Sequence, residues 1–320
     1  MKTNYIENID VLVGYEKVKP LSIDLQIIDP PYFSTNIKEV GDNQWRKESE
    51  YLEWMKVLLT KAEKSMKYNG SIYLFHNDCD LMIDLLYYIK HDLGLFVQNQ
   101  ITWNKFTTHN NFSRVIKTFG SNRKYGKTFT EKIYFITKQK NYFETPFSKI
   151  ILKAIDSGIS RENISKLEVS KNGNKTGWLF NKIKGTQIPT EQQWNKICKF
   201  LNIENNYETL LKIFKEERYR FNQPYIDFSG KNVLEQKEIL KPYSEIWEYQ
   251  KDLSVHPTKK PDKMIENIIK ISTNKNDIVL DPMFGSGVSI YSAKKLNRKY
   301  IGFENSKKYF DELKKLLKNK

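Results

Sequence analysis

Over the first 140 residues, short apolar runs alternate with amphipathic stretches. Four apolar runs fit strands, at residues 23–28, 71–75, 97–103 and 132–137. Between the first two, apolar residues recur at helical spacing, namely Tyr51, Met55, Leu58, Leu59, Ala62 and Met66. Strands that alternate with helices in this way are typical of a parallel sheet covered by helices.

The last 65 residues repeat this alternation. The pattern predicts a helix at about 262–271, a strand at 277–281, a helix at 286–296, a strand at 299–303 and a final helix. The final helix carries Tyr309, Leu313, Leu316 and Leu317. The two ends of the chain therefore look like two pieces of one sheet.

The middle of the chain has a different character. It is rich in Lys, Asn and Glu, shows no strong strand alternation, and contains short helical runs such as SKIILKAI and EQQWNKICKFL. We interpret it as an inserted, mainly helical subdomain. The resulting division is 1–140, 141–253 and 254–320.

Composition limits the class of protein. An apolar content of 39% in 320 residues is sufficient for a substantial core. No window approaches the roughly 18 apolar residues of a membrane span, and the first ten residues lack the apolar core of a secretory signal, so we expect a cytoplasmic protein. The two cysteines, Cys79 and Cys198, suggest neither a disulfide framework nor a zinc site.

The net charge of +15 is unevenly distributed. Residues 101–150 hold 10 basic and 2 acidic groups and residues 256–320 hold 15 and 7, whereas residues 151–255 hold 17 and 14. A general lysine bias would explain the total but not this clustering. Between 103 and 129, aromatic and Asn residues are interleaved with Lys105, Arg114, Lys117, Arg123, Lys124 and Lys127. This mixture suits contacts to phosphates and stacking on bases.

Two motifs follow predicted strands. Asp29, Pro30, Pro31 and Tyr32 end the first strand, and Gly285-Ser286-Gly287 separates a later strand from its helix. A GxG turn is equally common as a purely structural turn. An acidic residue at the end of the next strand, Glu304, could accept bonds from ribose hydroxyls.

The glycine turn departs from two phosphate-binding patterns. Ile290 replaces the third glycine of a dinucleotide fingerprint, and no GK[ST] follows the turn. A nucleoside cofactor without phosphates fits better, and S-adenosylmethionine (AdoMet) has a ribose and an amino-acid tail but no phosphate.

With DPPY at 29–32, HPTKKP at 256–261 and DPMFGSG at 281–287, the chain resembles the permuted β class of AdoMet-dependent DNA amino-methyltransferases. In that class the catalytic half precedes the cofactor half, whereas RNA and protein methyltransferases with a related motif usually have the opposite order. The resemblance covers about 9–140 and 254–315. It implies an α/β fold with a doubly wound, mainly parallel, Rossmann-like sheet, and it makes the middle segment a target-recognition region.

The resemblance also implies residue roles. Asp29 and the Pro30 carbonyl would accept hydrogen bonds from the target amino group, with Pro31 restricting Pro30, and Tyr32 would stack on the extruded base. The cofactor's amino-acid end is assigned to Asp281, Phe284, Gly285, Ser286 and Gly287, its ribose to Glu304, and its methionine moiety to a strip with His256, Thr258 and Lys260. No metal is expected.

Some features depart from the family or stay open. Gly14-Tyr15 stands where the family often has Gly-Asp, and Val288-Ser289 where it often has Thr-Thr or Ser-Thr. Residues 176–203 weakly resemble the latter half of a repressor-type helix-turn-helix, and an ordinary helical hairpin is equally consistent. In either case we expect the second helix to pack through Trp194, Ile197, Cys198 and Leu201. We expect His76, His91 and His109 to be surface or packing residues.

The leading hypothesis is a sequence-specific adenine-N6 DNA methyltransferase from a restriction-modification system, or a solitary counterpart. Asp in the first motif position favours adenine, whereas Ser is more typical of cytosine-N4 enzymes. Rival hypotheses are a cytosine-N4 enzyme, an RNA methyltransferase, and a DNA-binding regulator on an inactive scaffold. The expected partners are double-stranded DNA, a cognate restriction endonuclease and, by analogy with the family, a second copy of the chain.

Overall fold

The computed structural model describes residues 1–33, 44–105, 130–138, 145–167, 179, 182, 188–221, 232, 234, 240–250 and 259–318. The chain divides into two compact units. The first comprises residues 1–138 and 223–320, and the second comprises residues 139–222.

Within the described residues, the first unit contains one eight-stranded sheet. Its strands are β1 (Tyr5–Asn8), β2 (Ile23–Ile28), β3 (Met66–His76), β4 (Phe96–Asn104), β5 (Thr130–Thr137), β6 (Ile246–Trp247), β7 (Ile278–Asp281) and β8 (Lys299–Glu304). Their spatial order is β1-β8-β7-β2-β3-β5-β4-β6. Only β5 runs antiparallel to its neighbours, β3 and β4. The predicted mainly parallel α/β fold is confirmed.

Ten α-helices accompany these strands in the described part of the chain. The first unit has α1 (Val11–Glu16), α2 (Glu48–Ser65), α3 (Cys79–His91), α8 (Asp262–Ser272), α9 (Val288–Lys295) and α10 (Lys307–Lys318). The second unit has α4 (Pro146–Asp156), α5 (Arg161–Ser165), α6 (Glu191–Leu201) and α7 (Tyr207–Phe221).

Alternating strand residues build two cores, one on each face of the sheet. In β3, Ile72 and Leu74 join the core formed with α1, α2 and α3. Tyr73 and Phe75 point the other way and join the core formed with α8 and α9. This two-residue alternation is the direct consequence of strand geometry, and it buries both faces of the sheet.

The strand order reverses between β2 and β7. The chain leaves β2 through α2 to reach β3 on one side, and it leaves β7 through α9 to reach β8 on the other. The two strands are hydrogen-bonded neighbours, with Leu25 opposite Val279 and Gln26 opposite Leu280. In open α/β sheets, ligands bind outside the carboxyl ends of the strands at such a reversal.

Gly14 and Tyr15, which depart from the family's Gly-Asp pair, both lie in α1 and contact the sheet. A Cβ on Gly14 would lie 2.6 Å from the Phe303 ring, so only glycine allows the helix to approach β8. The Tyr15 hydroxyl donates to Gln26 Oε1 at 2.7 Å beneath the sheet. Both residues therefore secure α1 against the sheet.

The second unit has its own core, formed by Phe147, Ile151, Ile164, Leu179, Trp194, Ile197, Cys198, Leu210 and Phe214. The predicted packing face of α6 is confirmed, since Trp194, Ile197 and Cys198 are buried and Leu201 packs against them. Helix α6 begins with a capping box between Thr190 and Gln193. It ends at Leu201, and the C-cap residue Asn202, with a positive φ of 52°, stops the helix.

The sequence patterns did not indicate β1, α1, α3 or β6. Strand β6 comprises only Ile246 and Trp247, and it joins the sheet beside β4 from within the range 141–253. In the part of the chain that the structure describes, no helix combines the length and apolar character needed to cross a membrane.

Candidate active site

Ionisable side chains gather at the edge where the parallel strands end. Asp29 follows β2, Lys105 follows β4, Asp281 ends β7 and Glu304 ends β8. Because β5 runs in the opposite direction, its second residue, Glu131, lies at the same edge. The motifs at 29–32 and 281–287 therefore start from adjacent strand ends.

Lys260 links the two ends of the chain at this edge. Its Nζ lies 2.6 Å from Asp29 Oδ2 and 2.9 Å from Glu131 Oε1, and 5.0 Å from the centre of the Phe75 ring. Only 9% of the Lys260 side chain and 4% of the Glu131 side chain are exposed, against 29% for Asp29. A nearly buried ammonium is thus held between two carboxylates.

Opposite charges keep Glu131 and Lys260 ionised, whereas burial raises the pKa of Asp29. Burial raises the pKa of Glu131, but the ammonium groups of Lys260 and Lys105 outweigh it and lower that pKa to about 2. Burial lowers the pKa of Lys260, and Asp29 and Glu131 reverse the effect and raise it. At neutral pH the cluster therefore contains charged Glu131 and charged Lys260.

Tyr32 is positioned through both its hydroxyl and its ring. Its hydroxyl lies 3.2 Å from Asp29 Oδ1 and 3.1 Å from Glu131 Oε1. Its ring centre lies 5.3 Å from that of His76, at the end of β3. Pro30 is buried, while Pro31 and Tyr32 are partly exposed. The aromatic ring thus has a defined position next to the acidic group.

His76 supports Tyr32 as a neutral ring. The Asp78 backbone N–H donates to His76 Nδ1 at 3.1 Å, so the proton of the neutral ring sits on Nε2, which donates to the Tyr51 hydroxyl at 2.9 Å. Burial lowers the pKa of His76 to about 4. His76 is a packing residue, as expected, but it packs against the motif tyrosine.

The glycine turn depends on its two glycines. Gly285 and Gly287 have positive φ angles of 47° and 75°. A Cβ on Gly287 would lie 2.5 Å from Leu313 Cδ1, so a side chain there would meet helix α10. Phe284 is buried beside Ile290 and Leu313, and Ser286 is partly exposed. The turn is therefore fixed by packing as well as by backbone conformation.

Glu304 and Asp281 flank this turn. Glu304 accepts the Gly285 N–H at 2.8 Å and the Ser306 N–H at 2.7 Å, and burial raises its pKa. Asp281 accepts the Met283 N–H at 3.1 Å and the Ser289 hydroxyl. Burial raises the pKa of Asp281 to about 7, and the charges of Asp29 and Glu304 contribute to this shift. The carboxylates of both motifs thus influence one another.

The remaining residues predicted for the site are distributed as follows. Lys105 lies in an ion pair with Glu131, and its Nζ is 4.8 Å from the centre of the Trp103 ring. Seven residues lie outside the described part of the chain, namely Arg114, Lys117, Arg123, Lys124, Lys127, His256 and Thr258. Glu131 was not predicted. The sequence did contain an indication of its importance, because Glu131 and Glu144 are the only acidic residues in the basic stretch 101–150.

Comparison with known proteins gives one family and several relatives along most of the chain. The model of a family described as DNA methylase matches residues 23–315. The chain is 25% identical over 317 residues to the Type II methyltransferase M.BglII of Bacillus subtilis, covering 96% of this chain and 67% of that protein.

Two solved structures share the fold. The PvuII DNA methyltransferase, described as cytosine-N4-specific, has a TM-score of 0.51 at 16% identity, covering 97% of this chain and 84% of its own. A putative DNA modification methylase from Thermus thermophilus, complexed with S-adenosyl-L-methionine, has a TM-score of 0.50 at 14% identity, covering 96% and 91%.

Proposed function

The chain belongs to the DNA methylase family, and we propose that it transfers a methyl group from AdoMet to the N6 amino group of adenine in DNA. One observation carries the proposal. Asp29 follows β2 and Asp281 ends β7, the neighbouring parallel strand, at the point where the strand order reverses, so a base and a methyl donor can meet there.

The residues around the glycine turn fit AdoMet. The cofactor carries an ammonium group and a ribose diol, both hydrogen-bond donors, and Asp281 and Glu304 supply carboxylate acceptors on either side of the turn. The Glu304 carboxylate accepts the Gly285 N–H through Oε2 and the Ser306 N–H through Oε1, which fixes its orientation beside the turn. The Thermus thermophilus methylase with a similar fold was solved with this cofactor.

Two stretches of the chain are proposed to surround the cofactor. We propose that Phe284, Gly285, Ser286 and Gly287 line the amino-acid end of the cofactor. We propose that His256 and Thr258 pack against the methionine moiety, on the basis of the HPTKKP motif. The Lys260 ammonium pairs with Asp29 and Glu131, so we propose that only the rest of this residue lies next to the methionine moiety.

The protein's task is to position and polarise a weak nucleophile. The lone pair of an adenine amino group is delocalised into the ring, and bound AdoMet supplies an already activated methyl group. Asp29 and the Pro30 carbonyl would accept hydrogen bonds from the two N–H groups of the amino nitrogen. These bonds would localise the lone pair on nitrogen and direct it at the methyl group. Pro31 fixes its own φ and restricts Pro30 to extended geometry, so the carbonyl has a constant direction.

The target base has to leave the duplex to reach this edge. Extrusion costs a few kcal/mol, and stacking on an aromatic side chain returns about 1 to 3 kcal/mol. The ring of Tyr32, supported from behind by His76, is suited to this contact.

Adenine is favoured by Asp29 in the first motif position. Cytosine-N4 transfer is the second candidate, because the fold of the PvuII enzyme, described as cytosine-N4-specific, is similar to this one. A DNA-binding regulator on an inactive scaffold is a third, and the close packing of Asp29, Tyr32 and Lys260 speaks against it.

Contacts to DNA are proposed from sequence and charge. The basic residues Arg114, Lys117, Arg123, Lys124 and Lys127 would contact phosphates. Residues 141–253 would read bases, since their charge of +3 is modest and they occupy the family's target-recognition position. We also propose that the enzyme acts on duplex DNA in the cytoplasm, in a restriction-modification system with a cognate endonuclease, and that two copies associate.

Transfer of labelled methyl groups tests the proposal. The purified chain is incubated with labelled AdoMet and either unmethylated duplex DNA or RNA, with Asp29→Ala as the matched control. We expect label in DNA with the wild-type chain only. Label in RNA alone would identify an RNA methyltransferase, and AdoMet binding without transfer to either nucleic acid would favour the inactive regulator.

A further inference from the structure

Glu131 occupies the centre of the acidic and basic cluster, although no motif contains it. It is the second residue of β5, opposite Trp103 of β4, at the edge where the parallel strands end. Its Oε1 lies 2.9 Å from Lys260 Nζ and 3.1 Å from the Tyr32 hydroxyl, and its Oε2 pairs with Lys105. Its nearly buried carboxylate therefore contacts three other members of the cluster.

The Tyr32 hydroxyl faces two acceptors. It lies 3.2 Å from Asp29 Oδ1 and 3.1 Å from Glu131 Oε1, and its single proton can be donated fully to only one of them. Transfer to an amino group requires Asp29 to accept a hydrogen bond from the base. Glu131 offers the hydroxyl a second acceptor at nearly the same distance, so Tyr32 can release Asp29 without moving its ring.

The charges of the cluster also indicate that Glu131 relieves Asp29 of a contact. Lys260 contacts both Asp29 and Glu131, so the positive charge of its ammonium is shared between two carboxylates. Without the charge of Glu131, Lys260 would be balanced by Asp29 alone among these contacts. Asp29 would then be held more tightly by Lys260 and would be a weaker acceptor for the base.

We propose that Glu131 is a positioning residue for methyl transfer: it accepts the Tyr32 hydroxyl and shares Lys260, and it thereby frees Asp29 Oδ1 for the target amino group. This inference rests on the proposed function. In this role Glu131 touches neither the base nor the methyl group and acts through Tyr32 and Lys260.

Single-turnover methylation of DNA by Glu131→Gln tests the proposal. Rates are measured per AdoMet-binding site, so that a fraction of unfolded protein does not lower them. We expect a loss of about 100-fold, the size seen when reacting groups are slightly misplaced, with AdoMet affinity unchanged. The matched control is Asp24→Asn, which removes another nearly buried carboxylate paired with a lysine, Lys67, away from the site. Its rate should stay close to that of the wild type.

A double-mutant cycle separates positioning from a structural role. Tyr32→Phe removes the hydroxyl that competes for Asp29, so Glu131→Gln should cost clearly less in that background than in the wild type. Losses that multiply in full, or a Glu131→Gln rate equal to that of Asp24→Asn, would overturn the proposal.

A second variant guards against misfolding. Should Glu131→Gln fail to fold, Glu131→Asp keeps the charge on a shorter side chain, and the Tyr32→Phe cycle is run with it. A loss that is smaller in the Tyr32→Phe background supports the proposal, and an equal loss contradicts it. If the wild-type chain itself transfers no methyl group to DNA, the proposed function has failed rather than the role of Glu131.

Discussion

The ammonium of Lys260 lies 2.6 Å from Asp29 Oδ2, although the two residues are 231 positions apart in the sequence. The resemblance placed Lys260 beside the methionine moiety of the cofactor, and the structure places its charged end on Asp29 and Glu131. A nearly buried ion pair therefore joins the HPTKKP segment to the DPPY motif.

Lys260→Met should reduce stability strongly. The variant leaves Asp29 and Glu131 facing one another without their shared cation, and breaking such a buried pair costs about 3–5 kcal/mol. We expect the lower end of that range, because Lys105 still pairs with Glu131. Urea unfolding of the full chain measures the change.

The neighbouring residue provides the control. Lys259 pairs with Asp262, whose side chain is 52% exposed. Lys259→Met should therefore change the free energy of unfolding by less than about 1 kcal/mol. Equal losses for the two variants would show that the Lys260 pair is no more important for stability than a surface pair.

Asp29→Ala should separate transfer from cofactor binding. We expect the methylation rate to fall by at least about 100-fold, since a preorganised polar contact to the reacting group is lost. AdoMet affinity should be largely unchanged, because Asp29 is not among the proposed cofactor contacts. Equilibrium dialysis and a transfer assay on the same preparation measure both quantities, and equal losses in both would mean that the role of Asp29 is misassigned.

Gly287→Ala should destabilise the chain more than Gly94→Ala. Both glycines have positive φ, 75° and 64°, which costs an alanine about 1–2 kcal/mol. Only Gly287 has a close neighbour, Leu313, whereas a Cβ on Gly94 would meet nothing within 4 Å. Overpacking adds about 1–3 kcal/mol at Gly287. Thermal and urea unfolding of both variants give the difference, and the absence of one would rule out the contact with α10.

Binding of AdoMet should release a proton from Asp281 below neutral pH. Burial raises the pKa of Asp281 to about 7 from an ordinary value of 3.8, so the free protein at about pH 6 holds the carboxyl mostly protonated. The ammonium of the cofactor favours the ionised form, so affinity should rise as pH increases toward about 7 and then level off.

Calorimetry in two buffers of different ionisation enthalpy detects this proton. Asp281→Asn should abolish its release. Ser289→Ala should move the release to higher pH, because the Ser289 hydroxyl donates to Asp281 and lowers its pKa. Wild-type binding at about pH 6 without proton release would exclude Asp281 as the partner of the ammonium.

Local patterns in the sequence were sufficient to predict the strand ends that carry the motifs. Apolar runs and glycine turns located Asp29, Asp281 and Glu304, and the structure brings all three to one edge. Helix α6 was predicted over 191–201 and is observed as Glu191–Leu201, because its capping box and apolar face are local features.

Strand order could not be obtained from local patterns. Glu131 reaches the site because β5 is inserted antiparallel between β3 and β4, and this depends on long-range pairing. His76 could not be placed beside Tyr32 for the same reason, since β2 and β3 had to be neighbours. Strand β6 contains two residues, too few for any alternation to show.

The modified nucleoside in DNA tests the central claim most directly. Unmethylated duplex DNA is incubated with AdoMet and either the wild-type chain or Asp29→Ala, digested to nucleosides, and analysed by mass spectrometry. We predict N6-methyladenine with the wild-type chain and none with the variant. N4-methylcytosine in place of N6-methyladenine would contradict adenine as the target, and a methylated base formed equally by Asp29→Ala would contradict the proposed site.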